Sequence, residues 1–172
     1  MFHALARGAQ RLMTMDDAVW ARHANPLSGW SRVLILPLLA MAVWSRLWIG
    51  WWAIILVGAV LIWTWLNPGL FPATASVDNW MSKGVLGERV WLSWQGDPRL
   101  AHHAPIIRAL TLTSLGGLGL LLAGLAVLSV PLTTTGLAAA MLSKLWILDR
   151  MVWIYSDAGF PEGFDRDTTA RG

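Results

Sequence analysis

The sequence predicts an all-α, polytopic membrane protein with four transmembrane helices and a cytoplasmic-side amphipathic helix between spans two and three. Hydrophobic residues fill 56% of the 172 positions and charged residues only 13%, about half the charged share of a soluble domain. Residues 47–66 carry no charge and no proline, and they are long enough to cross a hydrocarbon core of roughly 30 Å. Residues 109–130 form a second charge-free run of that length.

Two short helices are predicted before the first span. Residues 2–13 place apolar side chains at helical spacing, which is typical of a helix that lies on a membrane surface. Asp16 and Asp17 then predict the start of a second short helix, and Asn25-Pro26 predicts its end, because the residue before a proline disfavours helical geometry.

The first two spans are predicted at residues 28–44 and 47–66. The first contains Pro37, which indicates a kinked or tilted helix. Because only Ser45 and Arg46 separate the two apolar runs, we expect a tight helical hairpin. The second run places its five tryptophans towards its two ends, where aromatic rings anchor at headgroup depth; they are Trp48, Trp51, Trp52, Trp63 and Trp65.

Residues 76–94 predict one amphipathic helix. At about 100° per residue, its apolar face collects Val77, Trp80, Met81, Val85, Trp91 and Leu92. Its polar face carries Asp78, Asn79, Ser82, Lys83 and Arg89, with Leu86 and Val90 as misfits. Glu88 is the important exception, because this carboxylate falls near the centre of the apolar face.

The third and fourth spans are predicted at 109–130 and 133–154. Small residues that let a neighbouring helix approach closely recur along both; they are Ser114, Gly117, Gly119, Ala123 and Gly124 in the third span, and Gly136 and Ala140 in the fourth. Residues 156–172 are polar and predict a flexible tail. The whole chain, residues 1–172, is therefore expected to form a single membrane domain.

The distribution of basic residues predicts the orientation. Four spans put both termini and the central segment on one side, which receives Arg7, Arg11, Arg22, Arg32, Lys83, Arg89, Arg99, Arg108, Arg150, Arg166 and Arg171. The opposite loops receive only Arg46. By the positive-inside rule, both termini are predicted to be cytoplasmic, and the cytoplasmic (inner) membrane is the predicted location.

Lys144 is the most unusual residue, because it lies inside the fourth apolar run. An unpaired ammonium there costs at least about 2.5 kcal/mol, so it should face the bundle and meet an acid. Glu88 is the preferred partner and Asp149 the second choice. The ion pair could belong to a functional site, or it could serve only to fix the register of the helices.

Further polar residues at the cytoplasmic side extend this candidate cluster. Arg150 lies about 100° around the helix from Asp149 and is expected to reach the headgroups. Asn67 and Asn25 each precede a proline, and helix termination is the favoured interpretation. The alternative is that their amides join a polar pocket with Asp78, Asn79 and Lys83.

Several classes of chemistry find no support. The chain has no cysteine, which excludes disulfides, thiolate ligands, iron–sulfur clusters and cysteine nucleophiles. The four histidines (His3, His23, His102 and His103) lack the spacing of helical metal ligands, and neighbouring His102 and His103 should diverge, so no metal site is predicted and cofactors stay unknown. The basic residues form no stripe, which argues against nucleic acid.

Four segments together resemble a known family: WARHANPLSGWSR (20–32), TWLNPGLF (64–71), DNWMSKGVLGERVWL (78–92) and KLWILDRMVWIY (144–155). Over roughly residues 16–156 they are similar to a family of small, tryptophan-rich prokaryotic integral membrane proteins whose domain has no known function. The resemblance implies membrane placement and brings no activity or ligand.

The residues favour a non-enzymatic role, as an accessory or scaffold subunit or as a binder of a small amphiphile. The first alternative is a membrane enzyme on a lipid-like substrate, with Glu88 or Asp149 as acid/base and Lys144 or Arg150 holding an anionic headgroup. A small transporter comes third, because no inverted repeat is evident. The expected partners are the lipid bilayer and either a membrane protein or a second copy of the chain.

Overall fold

The computed structural model describes residues 17–74, 76–93 and 98–159, and this part of the chain is helical without strands. The predicted helix 2–13 lies outside the described residues. The helices are α1 (Asp17–His23), α2 (Pro26–Val33), α3 (Ile35–Trp44), α4 (Arg46–Ile49), α5 (Ala53–Leu70), α6 (Trp80–Ser93), α7 (Ala104–Val127) and α8 (Val130–Asp157), with 3-10 turns at Gly50–Trp52 and Pro98–His103.

Helices α3 and α5 form a first hairpin, whose connection is longer than predicted. The chain reverses through α4 and the 3-10 turn Gly50–Trp52, where Gly50 has a φ of 57°. Glycine tolerates this left-handed conformation because it has no Cβ. The helix of the second apolar run therefore begins at Ala53 instead of residue 47, and Trp48, Trp51 and Trp52 project from the turn.

The predicted first span, 28–44, consists of two helices. Helix α2 starts with Pro26 in its first turn, and Asn25 caps it by accepting a hydrogen bond from the Leu27 N–H at 2.9 Å. The helix breaks at Leu34, three residues before Pro37. Proline has no N–H to offer the carbonyl four residues earlier, so a break at this point follows from Pro37.

Helices α7 and α8 form a second hairpin with the most extensive packing in the described chain. Leu128 ends α7 in the left-handed conformation, with a φ of 55°. A Cβ at Gly117 would lie 2.6 Å from the backbone nitrogen of Ala140, and Gly136 packs against the backbone of Leu121. By contrast, a Cβ at Gly119 would meet no other helix of the described chain within 4 Å, so its predicted packing against a neighbouring helix is not seen there.

Neighbouring glycines in α7 give a matched test of this packing. Gly117→Ala is expected to cost about 2 kcal/mol, because its methyl group would overlap the α8 backbone. Gly116→Ala should be neutral or slightly stabilising, since a Cβ at Gly116 would meet no described atom of another helix within 4 Å and alanine is the better helix former. Thermal unfolding followed by tryptophan fluorescence would measure both; equal melting temperatures would contradict the contact.

Helix α6 packs against the C-terminal half of α8, with α2 beside it. Its buried side includes Met81 and Val85, as predicted, and also Ser82 and Val90, which the sequence had placed on the polar face. The side chain of Ser82 donates a hydrogen bond to the Ala24 carbonyl. Because α6 contacts both α8 and α2, its buried face is wider than a single apolar stripe.

Two stretches of the described residues are long and apolar enough to cross a membrane, Pro26–Asn67 and Pro98–Val127. Only 6% and 28% of their most apolar windows are buried, so neither is the core helix of a compact fold. The first stretch contains the turn of the first hairpin. The exposed tryptophans include Trp48, Trp51, Trp52 and Trp65, which are 71–87% exposed.

Candidate functional site

Four ionisable side chains meet where α1, α2, α6 and α8 come together, and we call them the charged cluster: His23, Arg32, Glu88 and Lys144. Arg32 holds one side of it. Its Nε donates to the Ser28 carbonyl at 3.2 Å, one Nη donates to the His23 carbonyl at 2.9 Å, and the other contacts the His23 ring. These contacts use three of its five N–H donors.

His23 is the neutral member of the charged cluster. Burial first, and then the positive charge of Arg32, lower the pKa of His23 to about 4. Because a guanidinium only donates hydrogen bonds, the Nε2 atom that it contacts must be the acceptor, which puts the proton on Nδ1. That Nδ1 is buried and has no hydrogen-bond partner in the described chain, so the ring is held by Arg32 and by packing.

Glu88 and Lys144 form the other side of the cluster, with Oε1 and Nζ 3.9 Å apart. The ammonium of Lys144 holds the pKa of Glu88 below its usual value, against the opposing effect of burial. The pair is more open than the predicted buried cluster, since the Lys144 side chain is 62% exposed and that of Glu88 34%. Because the 3.9 Å between Nζ and Oε1 is longer than a hydrogen bond, the Lys144 ammonium keeps N–H donors for another ligand.

A cavity of about 240 Å³ opens beside the cluster, between the α2–α3 break and the second hairpin. Arg32, Lys144 and Ser114 supply its polar groups. Its remaining lining is apolar and comes from Val33, Leu36, Leu118, Ala140, Met141 and Leu145. The cavity is smaller than the roughly 300–1,000 Å³ typical of a drug-sized ligand, and it combines a cationic end with a hydrocarbon wall.

The charges around this cavity do not cancel. Two cations, Arg32 and Lys144, face one carboxylate, Glu88, while His23 is neutral at pH 7. Among the four members of the charged cluster, one positive charge is left over. Free N–H donors on both cations can therefore bind an anionic oxygen group, and the apolar lining can bury part of an alkyl chain.

Asp149 and Arg150 lie apart from the Lys144–Glu88 ion pair. Asp149 accepts a hydrogen bond from the Trp80 indole at 3.2 Å and contacts Arg150 at 3.4 Å. Arg150 also lies over the ring of Trp153, at 5.5 Å from its centroid. Although the two residues lie about 100° apart on the helix, the flexible Arg150 side chain folds back onto Asp149.

The remaining predicted residues cap and tie helices. Asp78, which precedes α6, pairs with Lys83 of its first turn at 2.7 Å. Asn79 caps α6, with its Oδ1 accepting from the Ser82 N–H at 2.9 Å. These contacts place all three residues at the start of α6, which is a structural role.

Asn67 does not end its helix, because α5 continues through Pro68 to Leu70. Its side chain is fully buried, accepts from the Ser28 hydroxyl at 2.8 Å and donates to Ser31 at 2.7 Å. Helix termination was therefore the wrong interpretation, and the amide joins a polar contact different from the predicted one. It ties α5 to α2, the helix that presents Arg32.

Sequence reasoning missed His23 and Arg32. His23 was weighed only as a metal ligand, and Arg32 only as an orientation signal. Both lie in the WARHANPLSGWSR segment, and Arg32 stands four residues, about one helical turn, after Ser28. That spacing places Arg32 on the same helix face as Ser28, but nothing in it indicates the contact of Arg32 with His23.

His102 and His103 also differ from expectation. Their rings lie close together, with centroids 4.0 Å apart, instead of diverging. Both face the carboxylate of Asp157 at the end of α8. This second group is separate from the charged cluster.

The fold and the cluster define an all-helical protein with two membrane-length apolar stretches and a charged cluster beside an apolar cavity. The chain belongs to the family of unknown function DUF6653, whose profile matches residues 5–171. This agrees with the resemblance to an uncharacterised family. No curated protein and no solved structure gives a significant match.

Proposed function

We propose that this chain is a four-span protein of the cytoplasmic membrane that binds a small amphiphile with an anionic headgroup. The headgroup contacts Arg32 and Lys144. The part of the alkyl chain next to the headgroup lies against Leu36, Leu118 and Met141. The observation that carries the proposal is the cavity that joins two cations to an apolar wall.

The membrane arrangement is supported by the two hairpins and by the exposed apolar surface. In this arrangement, α2 with α3, then α5, α7 and α8 cross the bilayer, and α6 lies at its cytoplasmic side. Helix α8 has 28 residues, which span about 42 Å at 1.5 Å per residue. Both termini are cytoplasmic, which keeps the basic residues other than Arg46 and Lys144 on that side.

A binding role fits the ionisation of the cluster better than a catalytic one. A general acid works best with a pKa near the operating pH, whereas Lys144 lowers that of Glu88. The carboxylate therefore stays charged and orients the lysine. The enzyme alternative would need Asp149 as acid, and Asp149 contacts Trp80 and Arg150 instead of lining the cavity.

Native mass spectrometry of the protein in mild detergent tests the proposal. Wild type is expected to retain an amphiphile. Lys144→Met should bind it at least about tenfold more weakly, because the charge-assisted contact to the headgroup is gone. Lys83→Met is the matched control: it removes the chain's only other lysine, which pairs with Asp78 outside the cavity, and should bind as wild type.

Two added ligands separate the headgroup from the chain. Oleate should bind at least about tenfold more tightly than oleyl alcohol, which has the same chain without the charge. Equal binding of the two, or equal loss in both lysine variants, would overturn the proposal. A co-purifying protein in place of a small molecule would favour the accessory-subunit function.

A further inference from the structure

A second group of ligating side chains lies at the junction of the Pro98–His103 turn and the end of α8. His103 Nε2 is 2.9 Å and His102 Nε2 is 3.5 Å from the same oxygen, Oδ2 of Asp157. The three ligating atoms lie within 4.8 Å of one another. Two imidazoles thus converge on one carboxylate from a single turn.

The hydrophobic core holds this group in place. His103 is 4% exposed, and its neighbours Leu100 and Ile107 belong to a buried cluster with Ile154 of α8. Asp157 lies less than one helical turn beyond Ile154, so the core that fixes Ile154 also fixes the carboxylate. His102 is largely exposed, at 63% of its side chain. The group is therefore rigid at its base and open to solvent on one side, which is a preorganised arrangement.

We propose that His102, His103 and Asp157 bind a divalent transition-metal ion, with Zn²⁺ as the best match. Two imidazole nitrogens and one carboxylate oxygen are ligands that zinc accepts at about 2.0–2.2 Å, and the fourth tetrahedral position is left to water. Ligands around such an ion are about 3.3 Å apart, which is close to the two distances to Asp157. The side open to solvent gives the water its place.

The metal ion would join segments distant in sequence. It would link the turn before α7 to the last residue of α8, 54 positions later. The site is thirteen residues from Lys144 along α8, about 20 Å at 1.5 Å per residue. It is independent of the amphiphile cavity, so either proposal can fail without the other.

Cobalt and zinc titrations of the full-length protein, purified with a tag that contains no histidine and treated with EDTA, test the site. Co²⁺ is expected to give visible absorption bands that saturate at one equivalent. Zn²⁺ at roughly 100 times its Kd should raise the melting temperature by about 5 °C or more. His102→Gln and Asp157→Asn should each weaken binding at least about tenfold.

Asp149→Asn is the matched control, because it makes the same change on the same helix at a carboxylate that contacts Trp80 instead. It should bind metal as wild type does. His102 is exposed, so His102→Gln should fold with an unchanged metal-free melting temperature, and a loss of binding can be assigned to the lost ligand. His103 is not substituted, because a change at this buried residue could also destabilise the fold. Absence of saturable Co²⁺ bands, or equal affinity in wild type and both ligand variants, would overturn the site.

Discussion

Replacing Gly87 with alanine is expected to destabilise the protein by about 3 kcal/mol or more, a larger loss than we expect from a methyl group at Gly117 or Gly84. A Cβ at this position would overlap the backbone carbonyl of Met151. A flexible side chain could move away from such a contact, but the carbonyl belongs to α8, so the two helices must separate. In a protein of this size the melting temperature should fall by about 10 °C.

Two other helical glycines calibrate this result. A Cβ at Gly84 would meet the end of the Leu148 side chain at 2.7 Å, which can change rotamer, so Gly84→Ala should cost clearly less. A Cβ at Gly58 would meet no described atom of another helix within 4 Å, and Gly58→Ala should be neutral or slightly stabilising. If the three variants melted at the same temperature, α6 could not pack on α8 through Gly87.

The second large effect concerns pH. The pKa of His23 is about 4 in the folded protein, against 6.5 for an unperturbed histidine. Between these values the unfolded chain binds a proton that the folded protein excludes, so lowering the pH favours unfolding. The stability from a neutral His23 is complete above pH 6.5 and is lost as pH falls towards 4. The full loss is about 3 kcal/mol.

His23→Gln isolates this contribution. Glutamine keeps an acceptor for Arg32 and does not titrate, so its unfolding free energy should vary much less than that of wild type between pH 6.5 and 4.5. The charges that act on His23 are Arg32, Glu88 and Lys144, and the variant retains all three. Urea unfolding followed by the fluorescence of the 13 tryptophans measures both proteins; parallel curves would contradict a buried neutral imidazole.

Local sequence patterns predicted helices better than they predicted helix ends. Runs without charge identified the apolar segments, and Pro37 identified the break between α2 and α3. The ends depended on contacts that no local pattern reveals. Helix α5 passes through Asn67 because Ser28 and Ser31 satisfy its side chain, and those partners lie 36 to 39 residues away.

The candidate site was predictable only in part. Lys144 and Glu88 were identified because a charge is unexpected at both positions: Lys144 lies in an apolar run and Glu88 on an apolar helix face. The charge of Arg32 is not unexpected, since arginine is common at the edge of a span. Its role depends on α1 folding back to present His23, and that tertiary contact leaves no periodic pattern in the sequence.

Arg46 has a consequence for how the chain is made. Its guanidinium donates to the carbonyls of Leu125 and Ala126 at 2.6 and 3.2 Å, at the negative end of α7. Those carbonyls are synthesised 79 and 80 residues later. In the proposed topology, the first hairpin therefore inserts before the Arg46 guanidinium has these hydrogen-bond partners. The guanidinium gains them only when α7 has been inserted. The two hairpins should thus pack together late in biogenesis, when Arg46 forms its hydrogen bonds to the end of α7.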